Sequence, residues 1–133
     1  MVKTISVIAV FLLTLVALSY FLIMGSGKPL NSDLSVIGQG KPVLALAYEN
    51  YSPGGGEALN RLRKVRSDFD ARLVFVVADM GTPPGREFAE RYQLVSGEAM
   101  FMDQQGKQLQ KTIIHTDELE LRSRLESMLA LVE

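Results

Sequence analysis

The chain has 133 residues, of which 47% are hydrophobic, and it contains no cysteine. This length allows one compact domain, and the missing cysteine excludes disulfide bonds, thiolate metal sites and thiol catalysis. All 15 acidic residues and 13 of the 14 basic residues follow Gly25, so this part carries a net charge of −2. A nearly neutral domain gives no electrostatic reason to expect nucleic-acid binding.

The amino-terminal segment is long and apolar. The 20 residues Ile5–Met24 include no acidic or basic side chain, and Lys3 precedes them. In a helix they would span about 30 Å, the thickness of the hydrocarbon core of a bilayer. Cleavage of a signal peptide after Ala17-Leu18-Ser19 would leave the apolar residues 20–24 at the new terminus. We therefore predict an uncleaved, single-pass transmembrane helix.

The residues around this helix predict its orientation and the domain boundary. The very short flank before it favours an internal amino terminus and an external soluble domain. This would place the protein in the bacterial inner membrane with its domain in the periplasm. The run Gly25-Ser26-Gly27-Lys28-Pro29 is typical of a flexible linker. We assign residues 1–27 to the anchor and short linker, and residues 28–133 to the soluble domain.

Strands and helices alternate after the linker. The apolar run Val43–Tyr48 predicts a strand buried on both faces, and the β-branched run Leu73–Ala78 predicts a second strand. The other predicted elements are helices at Glu57–Phe69, after Thr82 and after Thr116, and a hairpin of Ala99–Asp103 with Gln108–Ile114. The order β-α-β-α-β-β-α predicts an α/β fold with a mixed sheet flanked by helices.

Two segments of the chain resemble the thioredoxin family. Residues 41–56, KPVLALAYENYSPGGG, look like its first buried strand and active-site loop, where the family carries Trp-Cys-Gly-Pro-Cys. Without a gap, Tyr51 falls on the tryptophan, Ser52 on the first cysteine and Gly55 on the second. Residues 91–94 and the hairpin at 99–107 are similar to the family's run through its own hairpin. The resemblance covers residues 36–131 and implies a thioredoxin-like fold.

The same resemblance implies that the family's chemistry is lost. Disulfide exchange needs an attacking thiolate, which neither Ser52 nor Gly55 supplies. The family's buried acid falls on Leu46, and its cis-proline falls on Glu98. We expect a trans peptide bond at Glu98, because a non-proline cis bond costs about 3 kcal/mol. The sequence therefore predicts a redox-inactive domain with no catalytic residue and no cofactor.

A scaffold that keeps its elements but not its catalytic residues favours a binding role. We predict a module that holds a protein or peptide partner at the membrane surface, with Tyr51 as the anchor of the contact. The candidate contact residues lie on two loops: Tyr51, Ser52 and Pro53, and Ser96, Gly97 and Glu98. The alternative is an accessory factor that positions a separate thiol oxidoreductase in envelope redox chemistry or cytochrome assembly.

Three other kinds of chemistry have candidate residues. Ser52 and His115 supply a nucleophile and a base, but nothing in the sequence places them together. Met100, Met102 and His115 form a less favoured copper(I) set, because methionines on a strand usually fill a core. The run Pro53–Gly56 opens a helix and offers backbone amides to an anion, but it lacks the Gly-Lys-Ser/Thr ending of a phosphate loop.

A group of basic residues lies on the first helix of the predicted domain. Near an anchor such residues can contact anionic lipid head groups. Glu57 and Asp68 dilute the positive charge, so we predict an ordinary solvated helix face. The basic residues are Arg61, Arg63, Lys64 and Arg66.

Overall fold

A long amino-terminal helix precedes the folded domain. The computed structural model describes residues 2–25, 29–114 and 117–133. Helix α1, Val2–Gly25, contains one candidate membrane span, Val2–Tyr20, with a mean hydropathy of 2.2 and none of its window buried. The Thr14 hydroxyl donates to the Phe11 carbonyl at 2.8 Å, which satisfies it within the helix. Length and composition suit a membrane span, and a signal sequence near the terminus meets the same criteria.

The strands of the described residues form one mixed sheet. They are β1 (Val43–Tyr48), β2 (Val74–Asp79), β3 (Glu98–Met102) and β4 (Gln108–Ile113). Their spatial order is β2-β1-β3-β4. Strands β1 and β2 are parallel, whereas β3 is antiparallel to both β1 and β4. The predicted mixed sheet and the predicted order of elements are confirmed.

Helices cover both faces of this sheet. They are α2 (Pro53–Val65), α3 (Pro83–Arg91) and α4 (Glu118–Ala130), with short 3-10 helices at Leu34–Val36 and Arg66–Asp68. Helices α2 and α4 pack on one face, and α3 packs on the other together with the 3-10 helix at 34–36. The parallel connection from β1 through α2 to β2 and the covering of both faces agree with the sequence-based prediction.

The alternation of side chains along β1 builds a core on each face of the sheet. Leu44 and Leu46 point to α2 and α4, whereas Val43, Ala45 and Ala47 point to α3. All five are completely buried. A strand buried on both faces explains why its sequence is an unbroken apolar run instead of an alternating pattern.

Most element boundaries agree closely with the sequence-based predictions. Strand β1 has the predicted limits, and the other strands start or end one residue away from theirs. Helix α3 begins after Thr82, whose hydroxyl accepts a hydrogen bond from Gly85 N at 3.3 Å. Helix α2 begins at Pro53, in the run expected to open a helix, but it ends at Val65, before the predicted limit at Phe69, because the chain tightens there into the 3-10 helix Arg66–Asp68. Asp117 caps α4, whereas the predicted cap Thr116 lies outside the described residues.

The domain has two ends, defined by the direction of its parallel strands. The carboxyl end of the sheet holds the loops 49–52, 79–82 and 95–97, together with the start of α4. The amino end holds the segments 38–41, 66–72, 103–107 and 131–133. Hydrogen bonds join three of these segments, from Gly40 N to Gln104 O at 3.1 Å and from Gln104 Nε2 to Val132 O at 3.0 Å. Open-sheet α/β folds bind ligands at the carboxyl ends of their strands.

Candidate functional site

The first candidate loop joins β1 to α2 at the carboxyl end of the sheet. Ser52 has an extended backbone and precedes Pro53, the first residue of the helix. Its amide donates to Glu49 O at 3.0 Å, and its carbonyl accepts from Gly56 N at 3.3 Å. Tyr51 projects into solvent and is 93% exposed. The loop is therefore held by its backbone, while its one large side chain is free to contact a partner.

The second candidate loop precedes β3 and packs against the first one. Glu49 N donates to Ser96 Oγ at 2.9 Å, across 47 residues of sequence. Gly97 N donates to Ala47 O at 2.9 Å, which continues the pairing of this segment with β1. The structure thus brings the two predicted loops together. Their contact depends on Ser96 and Gly97, two of the six residues predicted to bind a partner.

Gly55, which the resemblance aligns with the family's second cysteine, has no room for a side chain. A Cβ atom built on Gly55 would overlap Ser96 Oγ and would lie 3.3 Å from Tyr48 Cδ2. On the opposite side of this contact, Gly97 has a φ of +96°, and a Cβ there would lie 3.4 Å from Gly54 O. Glycine is needed at position 55 because the two loops approach so closely, and at position 97 because of its positive φ. A side chain of any kind at position 55 would push Ser96 away.

Leu46 and Glu98 occupy the other two positions where the resemblance places family chemistry. Leu46 is completely buried among the apolar side chains between β1, α2 and α4. Glu98 is the first residue of β3, and its carboxylate accepts from Val95 N at 3.1 Å and lies 3.9 Å from Lys111 Nζ. Since Glu98 shares the α3 face of β3 with Met100, it points away from α2. The described residues contain no cis peptide bond.

Three exposed apolar residues lie at the same end of the sheet, and the sequence analysis did not single them out. They are Val95, Ile113 and Leu119, which are 63%, 62% and 76% exposed. Val95 directly precedes Ser96, Ile113 pairs with Glu98 at the end of β4, and Leu119 lies in the first turn of α4. Leu119 could have been found from its helical spacing, because it falls outside the buried stripe of Leu121 and Leu125.

The alternative chemistries gain no support from the described residues. Met100 and Met102 are buried in the core beside α3, and His115 lies outside the described residues. The described part of the chain holds no cluster of three or more His, Asp or Glu side chains suited to a metal. The hydrolase pair of Ser52 and His115 stays untested for the same reason. In the Pro53–Gly56 run, the Gly56 amide already donates to Ser52 O.

Two of the four basic residues on α2 and the following 3-10 helix take part in ion pairs. Arg61 pairs with Glu57 at 3.2 Å, and Arg66 pairs with Asp70 at 3.1 Å. Lys64 is exposed, whereas the three arginines of this group are partly buried along their length. Arginine side chains commonly cover apolar surface with their stems while their charged heads reach water. This arrangement agrees with the predicted solvated face, although the arginines are less outward-facing than expected.

Comparison with known proteins identifies the fold. No family model matches the sequence, and no curated protein matches it either. An uncharacterised thioredoxin-like protein from Clostridium perfringens superposes with a TM-score of 0.62 at 13% identity, over 77% of this chain and 82% of its own. The fold is thioredoxin-like.

Two further solved structures share this thioredoxin-like fold. A thioredoxin from Thermus thermophilus has a TM-score of 0.62 at 18% identity, over 75% of this chain and 87% of its own. The germline-specific thioredoxin Deadhead from Drosophila melanogaster has a TM-score of 0.56 at 18% identity, over 68% of this chain and 83% of its own. Identities this low establish the fold alone. The present chain keeps the thioredoxin-like layout without any cysteine.

Proposed function

We propose that the chain is a membrane-tethered, non-redox module that binds a protein or peptide partner through the carboxyl end of its sheet. One observation carries this proposal. Among the described residues from 29 to 133, six large hydrophobic side chains are exposed, and four of the six lie at this end. The four are Tyr51, Val95, Ile113 and Leu119; the other two are Leu109 and Leu131. We call the group of four the apolar surface.

Exposed apolar side chains that lie together at one end of a domain favour an interaction site over an ordinary solvated surface. Tyr51 suits the role of anchor, since an aromatic ring gives a large contact area and its hydroxyl keeps a polar tip. The bonds of Ser96 and Gly97 hold the two loops in place before a partner arrives. Such preorganisation reduces the entropy lost on binding.

The residues at the former catalytic positions support a non-redox role. Ser52 replaces the attacking cysteine, and a serine hydroxyl does not ionise near neutral pH as a thiol does. Gly55 has no side chain and no room for one. Leu46, packed in the core, has no proton to transfer. These three substitutions leave the surface around them intact as a place for contact.

Helix α1 supports the membrane part of the proposal. Its apolar length matches a single span, and we place the domain outside the cytoplasm of a bacterial cell, with the amino terminus inside. Position on a membrane restricts the partner to proteins that share or approach that membrane. The partner is of the class that presents an apolar side chain to Tyr51.

Photocrosslinking in native membranes tests this proposal. The chain has no cysteine, so Gly54→Cys carries a benzophenone label alone, at an exposed position with no atom within 4 Å of the added Cβ. Ser67→Cys, exposed at the amino end, is the matched control. We expect a discrete adduct from position 54 that is absent from position 67 and is identified by mass spectrometry. A CxxC oxidoreductase as partner would specify the accessory role.

Substitutions on the apolar surface, compared with one at the amino end, show whether that surface makes the contact. Tyr51→Ala combined with Val95→Ser should lower the adduct yield about tenfold, because losing an anchor residue at an interface costs more than 1 kcal/mol. Leu131→Ser removes a comparably exposed side chain at the amino end and should leave the yield unchanged. Equal yields from the two variants would refute the proposed surface.

A further inference from the structure

We infer that the domain stands upright on the membrane, with the amino end of its sheet toward the bilayer and the apolar surface facing away. The partner is then the water-soluble part of a protein, and not a transmembrane segment or the lipid itself. This inference rests on the proposed anchor and partner-binding role. It is carried by the way in which the chain enters the domain.

The chain becomes part of the domain immediately after the linker. Pro29 O accepts a hydrogen bond from Arg66 Nη1 at 3.2 Å. Leu30 is buried in the core between the sheet and helices α2 and α4. Asn31 O accepts from Val77 N at 2.8 Å and forms a parallel bridge beside β2. These successive contacts fix the point of attachment at Pro29.

The attachment point lies at the amino end of the sheet. Asn31 pairs in parallel with Val76, the third residue of β2. Pro29, two residues earlier, is therefore level with Val74, where β2 begins. Arg66, which binds the Pro29 carbonyl, opens the 3-10 helix that follows α2 at the same end.

The length of the connecting chain limits how the domain can turn. Helix α1 ends at Gly25, and four residue steps lead from Gly25 to Pro29. Four steps span at most about 14 Å when fully extended. The six residues of β1 rise about 20 Å from the amino end to the carboxyl end. The connection is therefore shorter than the distance between the two ends. With Gly25 at the bilayer surface, a fully inverted domain cannot bring Tyr51 to the bilayer.

The upright position determines which partners reach the apolar surface. Tyr51 and Val95 lie about 20 Å farther from the bilayer than Pro29 does, since they follow or precede strands at the carboxyl end. A helix embedded in lipid does not extend to this height. A soluble domain or an extended extramembrane segment does, and an apolar side chain on it would meet the Tyr51 ring.

Fluorescence quenching on the reconstituted full-length chain tests the orientation. Single-cysteine variants Ser67→Cys and Gly54→Cys carry the same fluorophore at the amino end and the carboxyl end. Vesicles of phosphatidylcholine contain a fraction of lipid with a nitroxide on its head group. We expect quenching by this lipid to be at least threefold stronger at position 67 than at position 54, after each is normalised to quenching by aqueous iodide.

The outcomes separate the orientation from the proposed function. A chain that does not float with the vesicles would refute both the anchor and the orientation. A chain that floats and gives equal or reversed quenching would overturn the upright orientation alone, and the apolar surface would still be tested by its photocrosslinks. Mapping of those crosslinks to a transmembrane segment of the partner would also overturn the inference.

A longer connection provides a control on the cause. Twelve glycine and serine residues inserted between Gly27 and Lys28 would raise the root-mean-square length of a 16-step connection to about 22 Å. We expect this variant to float normally, with its quenching ratio falling toward one. A ratio that stays above three would show that the connection does not set the orientation and would refute the argument.

Discussion

The contact between Gly55 and Ser96 makes the sharpest prediction about this domain. Gly55→Ala places a methyl group where Ser96 Oγ now lies. The Ser96 side chain must rotate or withdraw, and it then gives up the hydrogen bond from Glu49 N. The methyl group also comes within 3.3 Å of the Tyr48 ring, a contact that forces a small shift.

The net change in the free energy of unfolding is the sum of two losses and one gain. A lost hydrogen bond costs about 0.5–1.5 kcal/mol, and an overpacked contact costs about 1–3 kcal/mol. Replacing glycine by alanine in a helix restores about 0.4–1 kcal/mol through the unfolded state. Because Ser96 Oγ ends a side chain that can rotate, the overpacking cost should lie at about 1 kcal/mol, the lower end of its range. We therefore expect Gly55→Ala to lower the free energy of unfolding by about 1–2 kcal/mol. Gly54→Ala and Gly56→Ala add a Cβ with no atom within 4 Å and should raise it slightly.

A double-mutant cycle isolates the contact. The assay is guanidinium unfolding of the full-length chain in detergent micelles, followed by circular dichroism. Ser96→Ala removes the hydroxyl and makes room, so adding Gly55→Ala to it should cost less than about 0.5 kcal/mol, with a coupling energy near 1 kcal/mol. If Gly55→Ala proved as harmless as Gly54→Ala, or if Ser96→Ala failed to rescue it, the claim that Ser96 occupies the space beside position 55 would be refuted.

Three other substitutions test neighbouring parts of the argument. Leu46→Asp buries an unpaired carboxyl group and should cost more than about 3 kcal/mol of unfolding free energy, whereas Leu46→Met should cost less than about 1.5 kcal/mol in the same assay. The double variant Ser52→Cys/Gly55→Cys should give little insulin reduction, and adding Ser96→Ala to it should increase the rate. A double variant that reduces insulin faster than the triple variant would contradict the packing at position 55. Hydrogen bonds to Glu133 and Glu126 raise the pKa of Arg72, and a raised pKa stabilises the folded state below the unfolded pKa. The destabilisation by Arg72→Met should therefore be constant from pH 6 to 10 and should shrink in high salt. If the destabilisation disappeared between pH 6 and 10, the ion pairs of Arg72 with Glu133 and Glu126 would not be its cause.

The sequence predicted the framework because its signals are local. The apolar run of β1 and the β-branched run of β2 identify strands without reference to the rest of the chain. Helix α2 starts in the expected run Pro53–Gly56, although the three glycines after Pro53 have low helix propensity. Their helical conformation depends on tertiary contacts, in which Gly55 and Gly97 let the two loops meet. Packing between distant segments overrides propensity there.

The candidate site was predicted only in part, for the same reason. Both loops were identified, but the bond from Glu49 to Ser96 spans 47 residues and leaves no local signature. Glu98 was placed with the loop residues, whereas strand alternation turns it to the opposite face, beside Lys111. The exposure of Ile113 cannot be predicted until the pairing register of β3 and β4 is known.

In the proposed function, the absence of thiol chemistry determines what a membrane anchor contributes to binding. A redox thioredoxin-like protein can hold its substrate transiently through a covalent mixed disulfide, which this chain cannot form. The proposed binding would rest on contact area alone, and four exposed side chains provide less than the ~1,000 Å² typical of a stable interface. A weak contact becomes effective when both proteins share a membrane, because tethering raises effective concentration and strengthens binding by about 10²–10⁴-fold. We therefore expect the adduct from Gly54→Cys to disappear when the membranes are dissolved in excess detergent and to return on reconstitution. An adduct that persists at equal yield in dilute detergent would show that the apolar surface binds tightly without help from α1.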